Sequence, residues 1–341
     1  MYQIQFMKKP YYHVVKETVE YVKKRKGKDV ANFINAILRR FVNDINNIPY
    51  PSDTIHHLSI AYSYPEWLIR RWYTRLGLQD TTKLLAFLNQ KPEFCLRVNT
   101  NKVSLREVQQ YFKNRMVRTW KGVFSPTALY VDVLSPVMES QFFKKNLIAI
   151  QDEASQLAAL AVQPKDGDCI LDACAGVGTK TLQLREIPGN IRIIAMDNSL
   201  KRLMQMSIRE DCVCGDGMKN PFKNEVFDSI LVDAPCSSLG IIRKHPEIKW
   251  RRKEEDIVHL GNYQLELIKH LWNNLKKGGS MVYSVCSFEP EETTEVIERF
   301  QTHRDFRLEN PLPFLFNKNY FISIPHETHM DGFFIARLKK V

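Results

Sequence analysis

Hydrophobic residues recur at helical spacing through the first ninety positions. In Val30-Ala-Asn-Phe-Ile-Asn-Ala-Ile-Leu-Arg-Arg-Phe41, Ile34, Ile37, Leu38 and Phe41 share one face while Arg39 and Arg40 lie off it, which predicts an amphipathic helix. Residues 46–53 place two prolines in a polar cluster, so a linker is expected there. A second helix is predicted after Pro65, with Ile69, Trp72, Tyr73 and Leu76 facing the core, Arg70, Arg71 and Arg75 elsewhere, and Gly77 as its stop. From about residue 94 the pattern shortens to strands at Phe94–Val98 and 129–133 around a helix near 105–112. After Gln151 near-continuous apolar runs, Cys169–Asp172, 193–197, 229–233 and 281–284, alternate with helical stretches, ending with 254–276 and a Gly278-Gly279 exit. Such runs separated by helices predict an α/β architecture with a parallel-rich sheet covered on both faces. The changes of texture set three regions: helical over 1–60, a small α/β module over 61–148, and the sheet domain over 149–341.

Composition narrows the class. A chain of 341 residues, 44% hydrophobic and 26% charged, is too apolar to be disordered. No apolar run approaches the ~18 residues of a membrane span, and the first ten residues lack the apolar block of a signal peptide. Seven cysteines, an odd number, argue for free thiols in a reducing compartment, so a cytoplasmic monomer without a membrane partner is expected. The net charge of +11 is uneven. Residues 1–150 carry 24 basic and 11 acidic side chains (+13), and residues 151–341 carry 25 and 27 (−2). Lysines retained for solubility would account for this; the sharper expectation is an electrostatic footprint for nucleic acid.

Three of the four apolar runs end in Asp, and ligands of open α/β sheets bind beyond the carboxyl ends of the strands. Asp172-Ala-Cys-Ala-Gly-Val-Gly-Thr-Lys-Thr181 is a strand-to-helix turn in which Gly176 and Gly178 permit close approach of a ligand to the backbone. It fails the P-loop spacing and lacks the third glycine of a dinucleotide fingerprint. Asp197, nineteen residues beyond Gly178, is placed to accept both hydroxyls of a ribose, and Asp216, closing the third strand, is a candidate for an adenine amino group. One nucleoside with no place for a pyrophosphate points to S-adenosylmethionine rather than NAD. Loop-capping carboxylates would explain any one of these acids and strain to explain three in order.

Two cysteines indicate the reaction class. Asp233-Ala-Pro-Cys236 follows the fourth strand and Ser284-Val-Cys286-Ser287 the fifth, so adjacent parallel strands would bring both thiols to one edge of the sheet. Carbon 5 of a pyrimidine is too weak a nucleophile to take a methyl group directly. A thiolate adding at carbon 6 turns the ring into an enamine whose carbon 5 can attack a sulfonium methyl. No Cys/His set has zinc-ligand spacing, so no metal is expected, and Cys169, Cys174, Cys212 and Cys214 read as buried small residues.

These motifs resemble the RNA cytosine-5 methyltransferases over nearly the whole chain: Asp-Ala-Pro-Cys, the later Cys-Ser turn, and the upstream Asp-x-Cys-Ala-x-x-Gly-x-Lys-Thr loop. Cys95-Leu-Arg-Val-Asn99, Ile150-Gln-Asp-Glu-Ala-Ser-Gln156 and Asp331-Gly-Phe-Phe-Ile-Ala336 are similar to further family segments. Phe33–Phe41 and Tyr64-Pro-Glu-Trp-Leu68 resemble the RsmB (Sun/Fmu) branch, which methylates small-subunit (16S) ribosomal RNA and carries a NusB-like RNA-binding domain. The chain begins where that bundle's later helices would, so either the bundle is shortened in this protein or its earlier helices have been trimmed from this sequence. The resemblance implies a Rossmann-like class I S-adenosylmethionine-dependent methyltransferase domain. Cys286 would be the nucleophile, Cys236 would help release product, and Asp233 would hydrogen-bond cytosine N3, protonated through burial. Lys180 would reach the base or its partner acid. Cys174, Ala175, Gly176, Val177, Gly178, Thr179, Lys180, Asp197, Asp216 and Asp233 would surround the cofactor.

Arg243, Lys244, His245, Lys249, Arg251 and Arg252 read as either a phosphate-contacting segment or an ordinary solvated surface. The departures from the family pattern are Ala175-Gly-Val-Gly-Thr-Lys180 without its proline, Ser238 where glycine is frequent, and Val285 where Thr is usual. The competing expectations are the same chemistry on transfer RNA and a non-catalytic RNA-binding assembly factor.

Overall fold

The computed structural model describes all residues except 46, 48, 49, 208–210 and 220. The chain divides into two units, Met1–Ser63 and Tyr64–Val341.

The first unit is helical: Tyr2–Gln5, Tyr11–Lys26, Lys28–Asp44 and Thr54–Tyr62. Gly27, at φ 87°, turns the second helix into the third, a conformation that costs glycine nothing. Within Lys28–Asp44, Leu38 is buried, Ile34, Ile37 and Phe41 are half-buried, and Arg39 and Arg40 are exposed, as the periodicity predicts. Part of the expected 46–53 linker lies outside the described residues. Its last residue, Asp53, caps the fourth helix by accepting the His56 amide at 2.8 Å.

The second unit begins with the helix Glu66–Leu88, which breaks at Gly77 (φ 75°) and then resumes. Gly77 is therefore a kink rather than the expected stop. Ile69 and Trp72 are fully buried, whereas Tyr73 is 37% exposed, so the core-facing stripe is narrower than the spacing suggests. Four strands follow, β1 (Phe94–Val98), β2 (Thr119–Lys121), β3 (Ala128–Val131) and β4 (Ile148–Ile150), in the order β2-β3-β1-β4 with every pair antiparallel. The helix Leu105–Lys113, capped by Ser104, packs Val108 and Phe112 onto Leu96, Val98, Leu129 and Val131.

The larger sheet contains β5 (Cys169–Asp172), β6 (Arg192–Asp197), β7 (Cys212–Cys214), β8 (Phe227–Asp233), β9 (Leu275–Val285), β10 (Phe306–Glu309), β11 (Tyr320–Ser323) and β12 (Phe333–Lys340). β5 to β9 run parallel in the order β9-β8-β5-β6-β7, and β12 joins β9 antiparallel with β10 and β11 against it. The continuous apolar runs have their explanation here. Ile230, Val232, Met281 and Tyr283 enter one core, and Leu231 and Val282 enter the core on the opposite face.

The expected 254–276 helix ends at Trp272, and Lys276 belongs to β9. Gly278-Gly279 forms a bulge in β9, where a Cβ on Gly279 would lie 2.9 Å from the Asp228 carbonyl. Among the described residues no helix is long and apolar enough to cross a membrane. Arg97 of β1, almost fully buried, donates to Glu186 at 2.8 and 2.9 Å, to the Thr179 carbonyl at 3.1 Å and to Gln151, which joins the small sheet to the cofactor-side loop.

Candidate active site

The carboxyl ends of β5, β6 and β8 open onto one cavity of about 870 Å³, with Cys286 in its wall immediately beyond β9. Of the expected site residues, all but Gly178 and Cys236 line it. Gly178, at φ 85°, turns the loop into the helix Thr179–Glu186, and a Cβ there would meet Met206 at 2.5 Å. Cys236 is buried against Cys286.

On one side of the cavity the loop after β5 is fastened to β6. The Ala175 amide donates to the Met196 carbonyl and the Gly176 amide to Asp197 Oδ2, both at 2.9 Å. Asp197 Oδ1 accepts the Ser199 amide at 2.8 Å and faces the Arg202 guanidinium at 3.0 Å. Asp216 lies two residues beyond β7, with Gly217, Tyr263 and Leu267 beside it in the wall.

Asp172 is the most deeply buried of the acids on this side. Thr181 donates to its Oδ2 at 2.7 Å, while its Oδ1 is buried without a hydrogen-bond partner. Burial pushes this carboxyl up to about 6, against the Thr181 bond that lowers it. An unsatisfied buried carboxylate oxygen, two capped acids and apolar walls fit a nucleoside ligand carrying an ammonium group, and S-adenosylmethionine meets that description.

The reactive side is built from β8, β9 and the loops after them. Lys180 Nζ donates to Asp233 Oδ2 at 2.6 Å and the Ser284 hydroxyl to Asp233 Oδ1 at 2.9 Å. Burial alone would lower Lys180, but Asp233 with Asp172 and Cys286 outweighs it and raises the ammonium's pKa. The Asp233 side chain is 30% exposed. The proton within reach of its carboxylate is that of Lys180.

Cys236 Sγ lies 3.1 Å from Cys286 Sγ, and Ser238 Oγ lies 3.6 Å from Cys286 Sγ. The hydrogen bond with Cys286, then burial, hold the Cys236 thiol well above the ordinary thiol range. Ser238 adopts φ 63°, the left-handed region that favours glycine and costs other residues about 1 kcal/mol. The backbone here is pinned from several directions. Glu292 accepts the Ser237 amide at 2.6 Å and its hydroxyl at 2.5 Å, Arg252 donates to the Ser237 and Cys236 carbonyls at 3.0 and 3.2 Å, and Gln264 donates to the Pro235 carbonyl at 2.8 Å. The Gly332 amide donates to the Gly240 carbonyl at 2.8 Å and the Gly240 amide to the Cys286 carbonyl at 3.1 Å. A Cβ on Gly240 would strike the Gly332 carbonyl oxygen at 2.0 Å.

The basic segment 243–252 is corrected by its surroundings. Arg243 is buried over the Phe87 ring and Lys249 over Tyr64, while Lys244 is clamped between Asp152 at 2.5 Å and Asp331 at 2.7 Å. Only His245 and Arg251 of the six are exposed. Aromatic faces and carboxylates from distant segments occupy Arg243, Lys244 and Lys249, and the Cys236 and Ser237 carbonyls occupy Arg252, so most of this stretch is scaffold. The four minor cysteines are also less buried than expected: Cys169, Cys174 and Cys212 are half-buried and Cys214 is exposed. Sequence reasoning missed Ser284, Glu292, the Lys244 clamp, and Glu289, which accepts Trp72 Nε1 at 2.8 Å and Arg75 at 3.0 Å behind the Cys286 loop. Ser284 and the three members of the clamp, Asp152, Lys244 and Asp331, sat inside segments already singled out; Glu289 and Glu292 did not.

Fold and cavity together define a class I S-adenosylmethionine-dependent methyltransferase. The family model described as 16S rRNA methyltransferase RsmB/F matches residues 159–339, its ferredoxin-like domain matches 64–138, and the NusB family matches 1–43. The chain belongs to the RsmB/F family. It is 31% identical to the probable ribosomal RNA small subunit methyltransferase B of Bacillus subtilis over 100% of this chain and 81% of that protein. It is 32% identical to ribosomal RNA small subunit methyltransferase B of Vibrio cholerae, over 100% and 79%. The crystal structure of PH0851 superposes with a TM-score of 0.81 at 28% identity, covering 97% of this chain and 77% of that one.

Proposed function

We propose that this protein transfers a methyl group from S-adenosylmethionine to carbon 5 of a cytosine in small-subunit ribosomal RNA, through a covalent bond between Cys286 and carbon 6. The observation that carries the reading is the pair of thiols 3.1 Å apart beside the Lys180–Asp233 pair, at the cavity shared with the Asp197 and Asp216 loops. The relatives' names and the family description support ribosomal RNA as substrate. The exposed Lys102, Arg106, Lys113, Arg115 and Arg118 of the small module supply cations for its phosphates.

Asp172, the 174–179 loop, Asp197 and Asp216 would hold S-adenosylmethionine, which supplies a methyl group on a sulfonium when bound. Cys286, as thiolate, adds to carbon 6 of a base taken out of its stack. Asp233 hydrogen-bonds N3 and hands on the proton held by Lys180, so the ring becomes an enamine rather than a buried anion. Cys236 stays protonated while Cys286 is a free thiolate, because their contact is the main influence holding its proton. Once Cys286 is bonded to carbon that contact is lost, and Cys236 becomes free to ionise and take the carbon-5 proton. Carbon 5 and carbon 6 then regain their double bond as Cys286 leaves.

Bisulfite sequencing of ribosomal and transfer RNA, from cells with and without the gene, tests the substrate. A non-converted cytosine in small-subunit RNA that disappears with the gene is expected. Loss of a transfer RNA signal instead moves the chemistry to the other substrate, and no change in either overturns the reading.

A further inference from the structure

The two thiols have a second chemistry open to them that methyl transfer does not use. They lie in contact, they come from adjacent parallel strands, and Cys286 reaches the cavity while Cys236 is buried behind it. We propose that Cys236 and Cys286 form a reversible disulfide under peroxide, so that the same pair that performs the reaction also switches it off.

The oxidant is hydrogen peroxide. The Cys286 sulfur attacks one peroxide oxygen, the O–O bond breaks, and a sulfenic acid forms as water leaves. Cys236 sulfur then displaces the hydroxyl from Cys286 as a second water, and its proton leaves with it. Two thiols and one peroxide thus give one disulfide and two waters. A cavity-facing sulfur with a second thiol poised beside it is the arrangement in which a sulfenic acid resolves to a disulfide before over-oxidation. Closing the gap takes about 1 Å of sulfur movement, since a disulfide bond is ~2.05 Å long. Glu292, Gln264 and Arg252 hold the backbone around Cys236, so side-chain rotation supplies that movement. Cys214, the exposed cysteine, faces the Asn198 carbonyl at 4.0 Å rather than a second thiol. With Cys286 bonded to Cys236 there is no thiolate to add to carbon 6. A base already seated against Cys286 would keep peroxide out.

For its effect on activity the inference rests on the proposed reaction; the bond itself does not. The test treats the full chain with hydrogen peroxide and reads intact mass, denatured thiol content and a non-reducing peptide map, with methyl transfer to ribosomal RNA measured in parallel. The expected result is a loss of about 2 Da, two thiols lost from the seven, and a single cross-linked peptide pair containing Cys236 and Cys286. Methyl transfer should fall at least tenfold, and dithiothreitol should reverse every change. In Cys236→Ser the cross-link should be absent, and Cys286 should be labelled by a dimedone probe and pass to a sulfinic acid that dithiothreitol does not rescue. Over-oxidised Cys286 in the wild type without the 236–286 cross-link overturns the proposal. A cross-link in a protein that never methylates RNA would instead overturn the reaction and leave the bond standing.

Discussion

Replacing Asp172 with Asn should stabilise the ligand-free protein at neutral pH while weakening its cofactor. Asp172 is fully buried, its Oδ1 lacks a partner, and its carboxyl is pushed from 3.8 to about 6. A gap of about 2 pKa units at 1.36 kcal/mol each means that charging it inside the fold costs about 3 kcal/mol. Because the folded value is raised, the favourable contribution is complete below about 4 and is lost as pH rises through about 6. Asparagine stays neutral throughout. The variant should match the wild type near pH 4 and exceed it by about 3 kcal/mol at pH 7.5, since the value of about 6 already includes the bond from Thr181. Urea denaturation at steps from pH 4.5 to 8 reads this difference directly. Calorimetric titration with S-adenosylmethionine at pH 7.5 should show binding weakened by about 10- to 100-fold, the worth of one hydrogen bond to a charged group. Wild-type affinity should itself decline below about pH 6. A stability difference that is flat with pH, or a variant less stable than the wild type at pH 7.5, would refute the reasoning.

Three further outcomes test the reactive side. Cys286→Ala should abolish methyl transfer and leave cofactor affinity within about twofold, since calorimetry reads the opposite side of the cavity; residual turnover would remove the covalent step. Cys236→Ala should accumulate a covalent protein–RNA species, detected as a mass shift on denaturing gels; slowed turnover without an adduct would deny Cys236 the release step. Lys180→Met should lower kcat by about 10²- to 10⁴-fold, the usual worth of a positioned proton donor, and flatten the alkaline limb of the pH–rate profile. An unchanged rate would mean that Asp233 gets its proton elsewhere.

The parts of this fold legible in the chain were those written in local periodicity. The runs ending at Asp172, Asp197 and Asp233 could be placed because strands buried on both faces tolerate almost nothing but apolar residues, and the thiols could be paired because β8 and β9 are neighbours. The helix ending at Trp272 was overrun because Lys276 carries no mark of strand, and only its place beside Asp228 puts it in β9. The basic stretch 243–252 misled for a related reason. A lysine between two aspartates from residues 152 and 331 reads along the chain like any exposed lysine, since its partners arrive only through tertiary folding. Glu292 and Glu289 were invisible on the same ground. Both are buried acids whose partners lie dozens to hundreds of residues away.

The backbone stitch from Gly332 through Gly240 to the Cys286 carbonyl ties the Cys286 loop to a strand more than forty residues further along the chain. Gly332 is held there by β12, the last strand in sequence, which lies between β9 and β10. The same strand brings in Asp331, which completes the Lys244 clamp. The Cys286 loop and the Lys244 clamp thus share one support, so any change that lifts β12 from β9 loosens both together.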